Sequence, residues 1–427
     1  MKPHKTICFL ALIVFGCWQI SCAQKEEVGT VTISNPAPVQ SNDALIVLKR
    51  SDIEKKIGVI AAGKYVQVFA EQRPVVVQYD DMDGDGNWDE AAFLYSFQPK
   101  ASVRFSFKVT DAPATVKAVV RAHVRHRKKN EDNSFGPVIT RDTMPPANPP
   151  TNFSKVPLPP YLTEGPAWEN DKVAFRLYFD TRNGKDIFAK RQPAMVMDTV
   201  GANKNASYHA LSDWGMDVLH VGKSLGAGSV AIAARDAGGK DTLIRLGGPN
   251  VKKEIYHAIA DGPVRAVFTI DYEWEINGNP VSIMDETSIW GGQYFYETRL
   301  MVKGAPADAT LVAGFADFYD NVPGSLDTAG TKIYYSYGVQ SEGKDKLGMA
   351  IAVPAKNFAW YKNINDGTGD IDHSYLVARH IIPGGPTGYR FYSGWEKSDT
   401  AFQSYGGFRN YLEKQAVLLG MPLRYEW

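Results

Sequence analysis

Along residues 28–130, apolar and polar side chains alternate in short runs: Val31-Thr32-Ile33, Ala44-Leu45-Ile46-Val47-Leu48, Val75-Val76-Val77-Gln78-Tyr79 and Val103-Arg104-Phe105-Ser106-Phe107-Lys108-Val109. A period of two broken by turn residues predicts short strands in a β-sandwich. From 131 to 160 the apolar period disappears and prolines accumulate, at Pro145-Pro146, Pro149-Pro150 and Pro157 to Pro160, which predicts a linker or a covering loop. Alternation returns over 161–427, in Val173 to Asp180, Val264 to Ile270, Tyr294 to Leu300 and Thr331 to Tyr337, and predicts a large antiparallel assembly. Helical spacing is confined to Phe408, Tyr411, Leu412, Gln415 and Leu419, just before Gly420. The expected protein is mostly β, with an amino-terminal sandwich, a larger antiparallel domain and one carboxyl-terminal helix.

Composition narrows the function classes. Forty-seven basic residues balance 47 acidic ones, so no net charge draws the chain to nucleic acid or an anionic membrane. The basic run Arg121 to Lys129 is answered by Glu131 and Asp132 and reads as a solvated strand end. Lys2 and Lys5 precede an apolar segment, Ile7 to Ile20, too short for a membrane span but suited to a signal peptide over residues 1–23. The chain is therefore expected to be exported, periplasmic or secreted, with lipid anchoring at Cys22 or Cys17 the less favoured variant and no transmembrane segment after processing. The cysteines all fall in that segment, so cleavage after Ala23 leaves no thiol for a nucleophile, disulfide or zinc site.

Chemistry is densest in Tyr208-His209-Ala210-Leu211-Ser212-Asp213-Trp214-Gly215-Met216-Asp217, ahead of the apolar run Val218-Leu219-His220-Val221 that can pair as a strand. A helix would put His209, Asp213 and Asp217 on one face, while Gly215 and the β-branched residues favour a loop feeding a strand. Either arrangement crowds an imidazole against carboxylates, as a proton-transfer site requires; the plainer reading has these groups satisfying backbone donors. Alternation places Arg176, Tyr178 and Asp180 on one strand face, a polar stripe or a ligand face. Glu286, Trp290, Tyr294 and Glu297 converge if Gly291-Gly292 makes a bend, as sugar contacts or as core. Asp81, Asp83, Asp85 and Asp89, with Gly86, match a calcium loop, although Ala92 stands where an EF-hand has its bidentate glutamate; Glu90 could complete the shell, and an Asp/Gly-rich hairpin turn is the alternative.

Glu164-Gly165-Pro166-Ala167-Trp168-Glu169, Arg176 to Gly184, Tyr208-His209 with Asp213 to Asp217, and Ser288-Ile289-Trp290-Gly291-Gly292-Gln293-Tyr294 together resemble the domain of unknown function 4861 family. The Asp-rich loop is similar too, while Lys185 and Ala189 depart from the expected apolar residue and glycine. The resemblance implies a galactose-mutarotase-like β-supersandwich and an exported protein of glycan-degrading bacteria. It implies action on acidic or deoxy-sugar-containing plant or algal polysaccharide fragments, by lyase, hydrolase or epimerase chemistry, or else non-catalytic glycan binding or a scaffold role.

The expected catalytic set is His209, oriented by Asp213, with Asp217 and Glu297 as further carboxylates and Arg176 as a charge-neutralising cation. The expected sugar contacts are Trp168, Tyr178, Lys190, Trp214, Trp290 and Tyr294. Calcium at Asp81, Asp83, Asp85 and Asp89 would be structural, and the partner a poly- or oligosaccharide.

Overall fold

Strand alternation builds two β units, each around its own core, in a computed structural model that describes residues 29–113, 118–367 and 369–427. The expected signal segment, 1–23, lies outside the described residues. In the smaller unit a five-stranded antiparallel sheet runs in the order Arg424–Glu426, Gly29–Ser34, Ser102–Thr110, Tyr65–Ala70, Arg73–Pro74. It faces a three-stranded sheet, Ser41–Lys49, Glu90–Phe97, Gln78–Asp80. Every second residue turns inward, so Val31, Ile33, Phe105 and Phe107 meet Ile46, Leu48 and Phe93.

The larger unit is a supersandwich. Its nine-stranded antiparallel sheet runs Asn321–Thr328, Thr331–Val339, Lys346–Pro354, Thr387–Trp395, Phe295–Lys303, Asn279–Trp290, Arg265–Ile276, Val251–Asp261, Arg141–Thr143. Two five-stranded sheets lie across it. One contains Gly215–Asp217, Lys185–Lys190, Val173–Leu177, Ala167–Asn170 and Ala122–Arg125; the other contains Asp241–Arg245, Ala227–Arg235, Thr310–Ala316, Ser374–His380 and Phe358–Ile364. One core joins all three through Trp168, Phe175, Ile232, Phe268, Phe315 and Phe391.

Several elements differ from the sequence-based expectation. Ala122–Arg125 pairs with Ala167–Asn170, so the larger unit begins before residue 130. Arg141–Thr143, inside the proline-rich stretch, forms the edge strand beside Val251–Asp261. The last strand, Arg424–Glu426, returns to the first. These strands are three or four residues long, so the edge they join decides their place rather than a period of their own. Of the run Val75 to Tyr79 only Gln78 and Tyr79 belong to a strand, Gln78–Asp80, and the strand near the central stretch is Gly215–Asp217 rather than Val218 to Val221. A short helix, Arg50–Ile57, accompanies the expected carboxyl-terminal one, Tyr405–Gly420. The latter is capped by the Ser404 side chain and packs Phe408, Leu412 and Ala416 against Tyr335, Tyr337 and Tyr392 of the nine-stranded sheet.

The two units are bolted together by polar contacts. The Gln78 side chain accepts the Val264 and Arg265 N–H groups and donates to the Arg265 carbonyl. Arg265 in turn pairs with Asp80 at 2.7 Å and Glu90 at 2.5 Å, at the two ends of the Asp-rich loop.

Candidate functional site

The strand register writes the site. Arg176 lies opposite Asp186, and Phe188 opposite Asp217, which makes Asp186 a diagonal neighbour of Asp217 on the outer face of the five-stranded sheet. The segment 191–214 covers that face, packing Met197, Val200, Tyr208 and Trp214 against Ala174 and Phe188. The stripe read as either a polar surface or a ligand face is therefore a buried polar layer. Gly215 permits the close join: its φ is +140°, and a Cβ there would fall 1.8 Å from the Ala189 carbonyl oxygen.

Arg176 is the hub, fully enclosed. It donates to the Thr163 carbonyl at 2.9 Å, Glu164 Oε2 at 3.0 Å, Asp186 Oδ2 at 2.7 Å and the Tyr178 hydroxyl. Thr163 and Glu164 both hold positive φ, +47° and +66°, a costly conformation for such residues, and it aims the Glu164 carboxylate at Arg176 and Arg182. The Tyr178 ring lies between the two guanidiniums, at 3.8 and 3.7 Å from its centroid. Burial works against charge on Arg176, but Tyr178 and Asp186 hold its pKa well above the ordinary value.

Asp217 is completely buried; its Oδ2 accepts no hydrogen bond among the described residues, and the Asp186 carboxylate lies within reach of a proton on Asp217. It stands 3.5 Å from both Arg176 Nη2 and His209 Nδ1. Burial, then the neighbouring Asp186 charge, pushes its pKa well above the carboxylate range, whereas burial and the Arg176 charge lower that of His209. The imidazole itself is 59% exposed. A protonated acid below and a neutral imidazole at the surface form an arrangement that can pass a proton between solvent-side substrate and protein interior.

Asp217, not Asp213, is thus the carboxylate at His209. Asp213 is exposed, because the 208–217 segment is a loop and not a helix that would set residues four apart on one face. Trp214 is half-buried and stacks on Phe188, at 6.3 Å between centroids. Glu342 reaches the same region: it acts electrostatically on His209 and bonds His220 Nδ1 at 3.1 Å and the Tyr319 hydroxyl at 3.0 Å. Sequence reasoning missed Asp186, Glu342 and Tyr319. Only strand pairing or a remote loop brings them in, although Asp186 lies directly beyond the quoted run Arg176 to Gly184.

Other expected residues lie elsewhere. Trp168 is in the core against Phe175, Phe268 and Tyr296, out of reach of any sugar. Lys190 is buried and engaged by Glu169 and by the Asn170 and Ala194 carbonyls, so neither it nor Arg176 is free to neutralise a uronate. Trp290, Tyr294 and Glu297 line a separate cleft, where Glu297 pairs with Arg390 at 2.7 Å and the Tyr294 hydroxyl donates to Asp399.

In the Asp-rich loop, Asp81, Asp83 and Asp89 each offer a carboxylate oxygen within 4.8 Å of the others, a hard-oxygen set that fits calcium. Backbone N–H groups of Gly86, Gly84 and Asp85 hold the Asp81 carboxylate below the usual range. Asp85 does not join the set: it accepts the Asn87 N–H. Glu90 is held by Arg265 and does not supply the missing glutamate.

The family model described as domain of unknown function (DUF4861) matches residues 33–424. The chain belongs to this family. Over 98% of both chains it is 22% identical to "Uncharacterized protein P7" of Formosa agariphila. Its fold is similar to that of an alpha-mannosidase from Enterococcus faecalis V583, with 11% identity and a TM-score of 0.50 over 94% of this chain. It is likewise similar to a protein in the glycosyl hydrolase family 38 from Enterococcus faecalis, with 12% identity and a TM-score of 0.50. The chain spans about half the length of those two structures, 46% and 47%. No helix of the described residues is long and apolar enough to cross a membrane.

Proposed function

We propose that the chain is an exported, carbohydrate-active enzyme working by acid–base chemistry at His209 and Asp217, on acidic or deoxy-sugar-containing fragments of plant or algal polysaccharide. The carrying observation is the buried Asp217 carboxyl, whose Oδ2 accepts no hydrogen bond among the described residues, 3.5 Å from an imidazole that opens to solvent. A perturbed buried acid beside a solvent-facing imidazole is the kind of pair that concentrates at functional sites. His209 exchanges the proton with the sugar; Asp217 faces its Nδ1 and biases the tautomer, while Tyr178, Asp186 and Arg176 fix the electrostatics beneath. The sugar class draws support from the mannosidase-like fold. Calcium at Asp81, Asp83 and Asp89 is part of the same proposal, as a stiffener of the smaller unit.

The test is turnover of a panel of pectic, ulvan-like and glycosaminoglycan oligosaccharides, read by reducing ends and by absorbance of an unsaturated product. Turnover lost in His209→Ala supports the assignment. Binding without turnover by the unaltered protein would leave the non-catalytic glycan-binding reading.

A further inference from the structure

Away from the His209 layer, the two units and the carboxyl-terminal helix enclose a cleft of about 990 Å³. Its floor is one face of the nine-stranded sheet: register sets Glu286 opposite Arg299, and Ser288 and Arg390 opposite Glu297. One wall is Ser41–Lys49, whose Ile46 and Leu48 turn inward and leave Leu45, Val47 and Lys49 along the cleft. Another is the helix stripe Tyr411, Lys414, Leu418. Such a volume is at the upper end for small-molecule sites, room for an oligosaccharide rather than a single ring.

The charges in this cleft are separated from one another rather than evenly paired. Glu90 is taken by Arg265, Glu297 by Arg390, and Asp43 by a two-pronged contact with Arg121 at 2.9 Å. Asp399 accepts from Tyr294 and from the Ala401 N–H. Glu286 is met only by Arg299, at 3.4 Å, and that guanidinium is 56% exposed. By contrast, Lys49, Lys172 and Lys414 line the cleft with no carboxylate partner among the described residues; Lys172 rests over the Tyr294 ring at 5.8 Å. Lys49, Lys172 and Lys414 thus stand apart from the carboxylates, which are tied to Arg265, Arg390, Arg121, Arg299 or, for Asp399, to uncharged donors, and the three ammonium groups are left as local anchor points for anions.

We propose that this cleft is a second glycan site, for an oligosaccharide bearing carboxylate or sulfate groups, whose anions meet Lys49, Lys172 and Lys414 and whose hydroxyls meet Glu286 and Ser288. The proposal rests on the carbohydrate reading above and adds the anionic character and the place. It also returns to the chain the acidic-sugar cations that Arg176 and Lys190 cannot supply.

The experiment is calorimetric binding of uronate, sulfated and neutral oligosaccharides of equal length to the unaltered protein, to Lys172→Ala/Lys414→Ala and to a control, Lys240→Ala/Lys356→Ala, whose exposed lysines lie outside the cleft. The melting temperatures are checked to be alike. At least one anionic oligosaccharide should bind more tightly than the neutral one, weaken as salt rises, and lose roughly 3–30-fold in affinity in the cleft lysine variant, with the control lysine variant unchanged. Whichever arm binds identifies carboxylate or sulfate. Equal affinity of the neutral oligosaccharide, or anionic binding untouched by the lysine changes, overturns the cleft assignment while leaving the His209 reading standing. No glycan bound or turned over by any variant overturns both.

Discussion

His209 and Asp217 meet across a boundary: Nδ1 and Oδ2 are 3.5 Å apart, yet the imidazole faces solvent and the carboxyl has no exposure. If proton transfer runs through this pair, His209→Ala lowers turnover by about 10²–10⁴-fold. The melting temperature should stay close to that of the unaltered protein, because an exposed ring contributes little to packing. Steady-state kinetics beside a melting curve checks this, and full activity in the alanine variant excludes the role.

The same pair predicts a pH profile. His209 has a folded pKa below its ordinary 6.5, so the neutral ring persists to more acidic pH and the acid limb of the rate profile should fall below that value. The stability sign follows. Between the folded pKa and 6.5 the unfolded chain binds the proton more readily, so stability declines as pH falls through that window. Comparing melting temperatures of the unaltered protein and His209→Ala across it isolates the contribution; an identical pH dependence would contradict it.

Removing Arg176 leaves Asp186 without its counter-charge and Glu164 with Arg182 alone. Arg176→Met should cost about 3–5 kcal/mol, the usual penalty for breaking one side of a buried ionic network. Denaturant titration measures it. A loss below about 1 kcal/mol would mean that the carboxyls simply take up protons.

His123, on the strand Ala122–Arg125, contacts Asp261 on one side at 3.0 Å and Asp198 on the other at 3.3 Å. Burial alone would lower its pKa, but the bonds to Asp198 and Asp261 raise it to about 10. A raised histidine contributes its full stability below the unfolded value of 6.5 and loses it as pH climbs towards about 10. His123→Gln should therefore cost roughly 1–3 kcal/mol near neutrality and much less in alkaline buffer. Denaturant curves at both pH values give the difference, and a constant penalty would refute the protonated state.

Calcium at the Asp-rich loop should raise the melting temperature of the unaltered protein, since a ligand that binds only the folded form stabilises it. Asp81→Asn should abolish that response, because Asp81 anchors the turn and supplies a ligand oxygen. Melting curves in chelator and in millimolar calcium, with elemental analysis of the purified protein, decide it; no response leaves an Asp/Gly-rich turn held by its own backbone bonds.

The alternation of Val103-Arg104-Phe105-Ser106-Phe107 was legible because one side of that strand meets the core and the other meets water. Val173–Leu177 and Lys185–Lys190 were misleading for the opposite reason. Both faces are covered, so Arg176, Asp186 and Lys190 look like surface residues in the sequence and act as buried polar pairs in the fold. His209 and Asp217 could be singled out by local density. That Asp217 rather than Asp213 faces the ring depends on Gly215 and the three-residue strand it opens, where spacing along the chain gives no direction.

The pairing of Thr32 with Glu426 joins the first described strand to nearly the last residue. Ser102–Thr110 covers one side of Gly29–Ser34, but the other side has nothing to bond until the carboxyl-terminal residues arrive. The core of the small unit is built from residues 31–107, so that edge stays open until the end of the supersandwich reaches it. Deleting the last four residues would leave that edge permanently open, and with it a template for joining one molecule to the next. The final strand exchanges an open edge of six residues for one of three, a shorter template for self-association.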